Sequence, residues 1–200
     1  VLGISGSKET SVIASYGSGK SIAAMIGGLI VEADSRKISE IEEAGLRLKN
    51  FDSSISTLLD ERISEKVHGT VVTLSGHVPD IVETIAHQLG LETPSSMTKL
   101  FRGIERFLKK SGHDRIAIIW DEFGRHLEAL VSRGCAEELA LVQDLAEWVA
   151  RRKSPSATLT LLLHQEFNRY VGRLGQVDQS VWKKIEGRFD TLHVIEDSDE

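Results

Sequence analysis

The sequence has few of the features that staple a small protein or anchor it in a membrane. It contains one cysteine, Cys135, in 200 residues, which excludes an internal disulfide and a zinc site built from several cysteines. The longest apolar runs, residues 116–120 and 159–163, are the length of a strand, whereas a membrane span needs about 18 residues. The first residues show no charged segment followed by an apolar one, as a signal peptide would. We expect a cytoplasmic protein with no membrane partner.

The sequence also lacks a large excess of charged residues of one sign. Lysine and arginine number 24 against 30 acidic residues, a net charge of −6. This balance excludes a globally basic nucleic-acid binder but permits a local basic patch. The net charge therefore does not support DNA as a partner, and a local patch leaves it as an alternative. An apolar share of 40% and a charged share of 27% are typical of a globular chain and exclude intrinsic disorder.

What the sequence does have is an alternation of strand-like and helix-like segments. Short apolar or β-branched runs are separated by stretches whose apolar residues recur at helical spacing. Runs that are apolar on both faces are typical of a parallel sheet covered by helices on both sides. The predicted strands are residues 11–15, 70–74, 115–120, 158–163 and 191–195.

We interpret residues 1–200 as one α/β domain with one addition. Residues 34–68 combine charged residues with leucine and isoleucine at near-helical spacing, which predicts one or two amphipathic helices inserted between the first two strands. The chain begins with Val1 rather than methionine, so we expect a fragment of a larger protein whose other domains are its partners.

A glycine-rich turn follows the first predicted strand. Residues 14–21 read ASYGSGKS, which fits the frame G-x-x-x-x-G-K-[ST] except that Ala14 replaces the first glycine. Gly17 and Gly19 allow successive backbone N–H groups to turn toward an anion, and the positive end of the following helix adds to that attraction. Lys20 would reach the β- and γ-phosphates. The residues predicted to bind a nucleotide are Tyr16, Gly17, Ser18, Gly19, Lys20, Ser21 and Ile22.

Two carboxylates follow the third predicted strand. Asp121 and Glu122 come after an apolar run, at the sheet edge where open α/β sheets bind ligands. Adjacent residues on a strand point to opposite sides, so we expect the two carboxylates to have different tasks. Asp121 and the hydroxyl of Ser21 would hold Mg²⁺, and Glu122 would act on the attacking water as general base. The alternative is a helix cap followed by a solvated glutamate.

Together the two segments resemble the Walker A and Walker B motifs of P-loop NTPases. Within that superfamily the chain is most similar to the AAA+ and origin-recognition/STAND-like branch, in which a glutamate follows the Walker B aspartate. The resemblance covers roughly residues 10–195 and implies a three-layer α/β/α fold with five parallel strands in the order 5-1-4-3-2. It implies ATP and Mg²⁺ as ligands and ATP hydrolysis as the activity. AAA+ proteins place a helical lid after the fifth strand, and we expect this fragment to lack it.

The resemblance implies two further functional positions. His164 and Gln165 follow the fourth predicted strand, where AAA+ proteins carry the sensor 1 residue; a polar helix cap is the alternative. Residues 187–190 read GRFD, similar to the end of the second region of homology, in which this arginine reaches the nucleotide of a neighbouring subunit. Arg188 would then act in trans in a homo-oligomer, and the alternative is a surface pair with Glu186 or Asp190.

We therefore expect an ATPase domain that drives conformational work in a larger, multidomain prokaryotic protein. One alternative is a nucleotide-gated scaffold or signalling switch with little turnover. Another is a DNA-remodelling motor, in a defence or mobile-element setting. An ABC/SMC-type ATPase is disfavoured, because residues 73–77 (TLSGH) lack the rest of its signature sequence.

Overall fold

The computed structural model describes residues 8–32, 68–134, 136–171 and 183–194, together with residues 43, 57, 61 and 64. These residues form an α/β domain around one parallel sheet. Its strands are β1 (Glu9–Ala14), β2 (Gly69–Ser75), β3 (Arg115–Asp121), β4 (Ser156–Leu163) and β5 (Asp190–Val194).

The sheet has the order β2-β3-β4-β1-β5, which is the predicted order 5-1-4-3-2 read from the other edge. Every pairing is parallel; Val12 of β1 lies beside Leu162 of β4 on one side and Leu192 of β5 on the other. Because the strands are parallel, all their carboxyl ends meet at one edge. β4 stands between β1 and β3, so the segments that follow these three strands are neighbours.

Helices follow the strands as predicted. The fold places α1 (Lys20–Glu32) between β1 and β2, while α2 (Ile81–Gln88) and α3 (Met97–Ser111) connect β2 to β3. The connection from β3 to β4 contains α4 (Phe123–Arg133) and α5 (Ala136–Arg151), and α6 (Phe167–Val171) follows β4. The predicted insertion at 34–68 lies outside the described residues, apart from residue 68 and the four isolated positions. Among the described residues no helix is both long and apolar enough to cross a membrane.

The sheet is covered on both faces, which gives the three layers predicted. Ile118 and Trp120 of β3 are fully buried in the core that α2–α5 form on one face. Ile119, between them in sequence, points to the other face and packs with Ala24 of α1. A fully buried side chain of this size contributes about 1.5–3 kcal/mol to the free energy of unfolding. The continuous apolar run of β3 is thus explained by burial on both faces.

Local signals fix where the helices begin and end. Asp80 caps α2 by accepting a hydrogen bond from the Glu83 amide, and Ser96 caps α3 in the same way through the Lys99 amide. Gly112 ends α3 in the left-handed conformation, with φ of 71°, which glycine adopts without the steric cost other residues meet.

Candidate functional site

The loop between β1 and α1 carries two glycines in the left-handed region. Gly17 has φ of 83° and Gly19 has φ of 79°. A Cβ atom at either position would have no atom within 4 Å, so the backbone conformation, and not crowding, calls for glycine here. A loop of this type turns backbone N–H groups toward a common point, which suits an anion.

Two side chains, one in this loop and one at the start of α1, are available to an anion. Lys20, the first residue of α1, donates from Nζ to the backbone oxygen of Ser15 at 3.0 Å, and the same Nζ lies 5.4 Å from the centre of the Tyr16 ring. The hydroxyl oxygen of Ser18 is buried and has no hydrogen-bond partner. A buried hydroxyl without a partner costs about 1–3 kcal/mol, so a phosphate oxygen at this point would satisfy it.

Tyr16 connects the loop to the end of β4. Its ring stacks on the ring of His164, with centroids 4.7 Å apart and an angle of 27° between the planes, although 67% of the Tyr16 surface remains exposed. The sequence predicted both residues at the site, and the structure brings them into contact. Ile22 is 65% exposed on α1, and its part in binding a nucleotide stays a prediction.

The two carboxylates after the apolar run of β3 are separated by a turn. Asp121 is the last residue of β3, and its Oδ1 accepts a hydrogen bond of 2.8 Å from the Glu122 amide. The alternation argument placed Glu122 on the strand, but it occupies the N-cap position of α4, in the left-handed conformation with φ of 50° and without a capping hydrogen bond from its side chain. For a residue other than glycine this conformation costs about 1–3 kcal/mol, a form of strain that is concentrated at functional sites.

The carboxylate of Glu122 is engaged by an arginine of the same helix. Arg125 Nη1 lies 3.2 Å from Glu122 Oε2, with 59% and 36% of the two side chains exposed. Such an exposed pair is worth about 1 kcal/mol or less, so the carboxylate can exchange this partner for another. Gly76, after β2, approaches both: a Cβ there would be 3.9 Å from Glu122 Oε2 and 3.8 Å from Arg125 Cδ.

His164 contacts a tyrosine that the sequence analysis did not identify as a site residue. The hydroxyl of Tyr170, in α6, lies 3.1 Å from Nδ1 and 3.2 Å from Nε2 of His164. Burial raises the pKa of Tyr170 to about 12, with hydrogen bonds from the Gln165 side chain and the His164 backbone acting in the opposite direction. The tyrosine therefore stays protonated at neutral pH. His164 and Gln165 both belong to this cluster.

A glycine in α4 makes room for that tyrosine. A Cβ atom on Gly124 would lie 2.2 Å from the Tyr170 hydroxyl oxygen, far inside van der Waals contact. The helix that starts beside Glu122 is thus packed directly on the residue that contacts His164. Nothing in the sequence indicates this contact, because Gly124 and Tyr170 lie far apart along the chain.

Behind the carboxylates lies a buried histidine that the sequence did not single out. His126 is fully buried and packs against Trp120 and Phe123. Its Nδ1 lies 3.3 Å from the backbone nitrogen of Val78, which can donate to it. Burial, with a smaller effect of the positive charge of the nearby His77, lowers the pKa of His126 to about 4. A neutral His126 therefore ties the segment after β2 to α4.

Arg188 lies at the end of the sheet where the parallel strands begin, whereas the glycine-rich loop lies at the end where they stop. It precedes β5, and Thr10, near the start of β1, pairs with Asp190, whereas the loop follows the far end of β1. At about 3.3 Å per residue the strand separates them by roughly 15–20 Å. Arg188 Nη2 bonds to Oε1 of Glu147, in α5, at 2.8 Å. The surface pair considered from sequence thus exists, but with a different acid.

The spatial requirement for a shared site is met by Lys20 and Asp121. They follow β1 and end β3, on either side of β4. Neighbouring strands lie about 4.8 Å apart, so two steps across the sheet cover roughly 10 Å, the scale of a triphosphate with its metal. The end of β4, with His164, occupies the space between.

Comparison with known proteins adds a fold relationship. Neither a family model nor a curated protein matches the sequence. Among solved structures the chain is similar to the ORC2 protein of Aeropyrum pernix in its ADPNP–ADP complexes, with a TM-score of 0.53 and 15% identity over 96% of this chain and 44% of that one. The ADP form of the same protein gives a TM-score of 0.47 at 14% identity, covering 94% and 42% of the two chains.

A third similar structure is Drosophila ORC bound to AT-rich DNA and Cdc6, with a TM-score of 0.37 and 13% identity over 90% of this chain and 61% of that chain. The likeness to the ADPNP–ADP form of ORC2, together with the strand order, shows that the domain has the AAA+ type of P-loop fold. The chain spans less than half the length of the ORC2 chain.

Proposed function

We propose that the chain is an ATP-binding domain that hydrolyses ATP with Mg²⁺ and drives conformational work in a larger protein. One observation carries the proposal: the loop with Lys20 and the Asp121–Glu122 pair follow two strands whose ends meet at the same sheet edge, with His164 on the strand between. The similar ORC2 structures hold ADPNP and ADP, which supports an adenine nucleotide as the ligand.

Binding would begin at the loop between β1 and α1. The amides around Gly17 and Gly19 would surround the phosphates, and the amino end of α1 adds its partial positive charge. Lys20 Nζ would exchange the backbone oxygen of Ser15 for oxygens of the β- and γ-phosphates. The Ser18 hydroxyl, which has no partner, would donate to a phosphate as well.

The metal would be held by the hydroxyl of Ser21 and the carboxylate of Asp121. Both are oxygen ligands, as Mg²⁺ requires, and few protein ligands are needed because phosphate oxygens and water complete its shell. When bound, Mg²⁺ supplies positive charge against the charge that develops on the phosphoryl oxygens.

Hydrolysis needs a base beside the γ-phosphate. Glu122 would accept a proton from the attacking water, after it releases Arg125. His164 would donate a hydrogen bond to the γ-phosphate or orient the water, with its ring fixed by Tyr170, and Gln165 adds a second polar group there. Lys20 would stabilise the charge spread over the γ-phosphoryl oxygens.

Arg188 belongs to the same proposal only in trans. It is too distant from the loop of its own chain, and a guanidinium at this position would stabilise the transferred phosphoryl group of a neighbouring copy. In that assembly Arg188 would exchange Glu147 for the phosphate. This role therefore requires a homo-oligomer.

A nucleotide-gated switch with little turnover is the second candidate, and the ion pair between Glu122 and Arg125 favours it. A glutamate that remains paired cannot serve as base, so ATP would be held and not consumed. In this reading the conformational work comes from binding alone.

Two measurements test the proposal. We expect labelled ATP to bind the chain with Mg²⁺, and Lys20→Ala to weaken binding by at least tenfold, because the phosphates lose their cation. Lys8→Ala is the matched control, since that lysine bonds to backbone oxygens of Ala150 and Arg152, outside the loop. Equal binding of ATP by wild type and Lys20→Ala would refute the assigned site.

A further inference from the structure

A second surface with a distinct charge lies along α3. A groove of about 1100 Å³ runs between the segment 90–95 and the outer face of this helix. None of the residues that line this α3 groove belongs to the nucleotide site. Phe107 contributes a half-buried ring to its wall, while the rest of the lining is mostly charged or polar.

The groove concentrates positive charge on one side of one helix. At 100° per residue, five of its cations fall within an arc of about 100°. They are Lys99, Arg102, Arg106, Lys109 and Lys110.

These cations have no acidic partner among the described residues. Lys99 Nζ donates to the hydroxyl of Ser95 at 2.8 Å, and Arg106 Nε donates to a backbone oxygen. Two acids also line the groove. Glu105 bonds to Arg152 at 2.6 Å, and that pair cancels its charge, while Glu92 is exposed and leaves the five cations in excess. Five like charges on one helix face repel one another, and an anionic ligand would relieve this repulsion.

The positive charge of the groove contrasts with the negative charge of the whole protein. The protein carries a net charge of −6, so the groove is a local reversal of the average sign. We propose that the α3 groove binds the sugar–phosphate backbone of a nucleic acid, independently of ATP. This proposal goes beyond the proposed ATPase function and does not depend on it.

Spacing and composition favour a phosphate backbone over an acidic protein. The rise from Lys99 to Lys110 is about 16 Å at 1.5 Å per residue, and one strand of a duplex carries about five phosphates over that length. Three of the five cations are lysines, which protein–protein interfaces disfavour and protein–nucleic acid interfaces use to contact phosphates. Phe107 would offer a face to the bases if the ligand is single-stranded.

The test is fluorescence anisotropy with labelled 20-nucleotide DNA, single-stranded or duplex, in the absence of ATP. We expect wild type to bind and Arg102→Glu/Arg106→Glu to bind at least tenfold more weakly at 50 mM NaCl. The dependence of log K on log salt should become shallower by about 1.4 for a single strand, which corresponds to two lost phosphate contacts. The neutral pair Arg102→Gln/Arg106→Gln should show the same change in slope with a smaller loss of affinity.

The matched control is Lys183→Glu/Lys184→Glu, which changes the net charge equally at two exposed positions outside the groove. It should retain most of the affinity, and each variant is first compared with wild type by thermal unfolding. Stronger binding of the single strand or of the duplex would identify which form the groove takes. The proposal is overturned if wild type binds neither form, if the control weakens binding as much, or if poly-glutamate competes as well as DNA at equal charge.

Discussion

The Tyr16 ring stacks on the His164 ring at a centroid distance of 4.7 Å. This contact joins the loop proposed to hold the phosphates to the strand end proposed to sense them. His164 in turn contacts the Tyr170 hydroxyl, and Tyr170 packs on Gly124, two residues after Glu122. Three consecutive contacts thus link the loop to the helix that begins beside the proposed base.

We expect Tyr16→Ala to weaken ATP binding by about two- to tenfold, because an aromatic stack of this kind is worth about 0.5–1.5 kcal/mol. Tyr16→Phe keeps the ring and should bind nearly as wild type. Titration of labelled ATP measures both. Tighter binding by Tyr16→Ala would show instead that the stack closes the loop against the nucleotide.

The ion pair between Glu122 and Arg125 gives a prediction about rate. If Arg125 withholds the base, Arg125→Ala should raise kcat severalfold and leave KM for ATP near its wild-type value, since the phosphate loop is untouched. Arg125→Lys keeps a charge that can still reach Glu122 and should stay near wild type. A fall in kcat for Arg125→Ala, with Arg125→Lys active, would assign the arginine a direct part in the reaction.

The close approach of Tyr170 to α4 predicts a large effect from a small change. Gly124→Ala would place a Cβ atom 2.2 Å from the tyrosine hydroxyl, so the free energy of unfolding should fall by about 1–3 kcal/mol. Gly28→Ala is the matched control in α1, where the new atom would lie 3.4 Å from Val71. Because alanine is the better helix former, that variant should be neutral or more stable. Chemical denaturation measures both, and equal stability of the two variants would contradict the packing described.

His126 makes stability depend on pH. Burial lowers the pKa of His126 to about 4, below the ordinary value of about 6.5 that it has when unfolded. Its contribution is therefore fully present above pH 6.5 and is lost as the pH falls toward 4, by up to about 1.4 kcal/mol per pH unit. His126→Gln should lower stability at pH 7 and flatten this slope, whereas His87→Gln, at an exposed position, should leave it unchanged. An unchanged slope in His126→Gln would exclude His126 as the group responsible.

The fold could be predicted from the sequence because its signals are local. The apolar run of β3 indicates burial on both faces, and the glycines at 17 and 19 indicate a left-handed backbone conformation that few other residues adopt. The observed strands differ from the predicted ones only at their ends: β1 begins at Glu9 and not at residue 11, and β5 begins at Asp190 and not at residue 191. Those ends depend on hydrogen bonds to neighbouring strands, which no single segment reveals.

The rest of the candidate site depends on contacts between distant segments. Tyr170 looks like an apolar helix residue in sequence, and only the structure shows its hydroxyl on His164. Glu122 leaves the strand at a turn, in which the Asp121 carboxylate accepts a hydrogen bond from the Glu122 amide. Arg188 pairs with Glu147, 41 residues earlier, which sequence spacing does not indicate. The roles of all these residues in catalysis stay predictions.

Single-turnover hydrolysis of ATP with Mg²⁺ tests the central claim most directly. With enzyme in excess over labelled ATP, wild type should release phosphate, and Glu122→Gln should bind ATP as tightly while its hydrolysis rate falls by about 100-fold or more, since the base is lost. Hydrolysis by Glu122→Gln at the wild-type rate would contradict the role of this residue. If wild type and Glu122→Gln bind ATP and are equally inert, the domain is a nucleotide-gated switch and the ATPase claim is wrong.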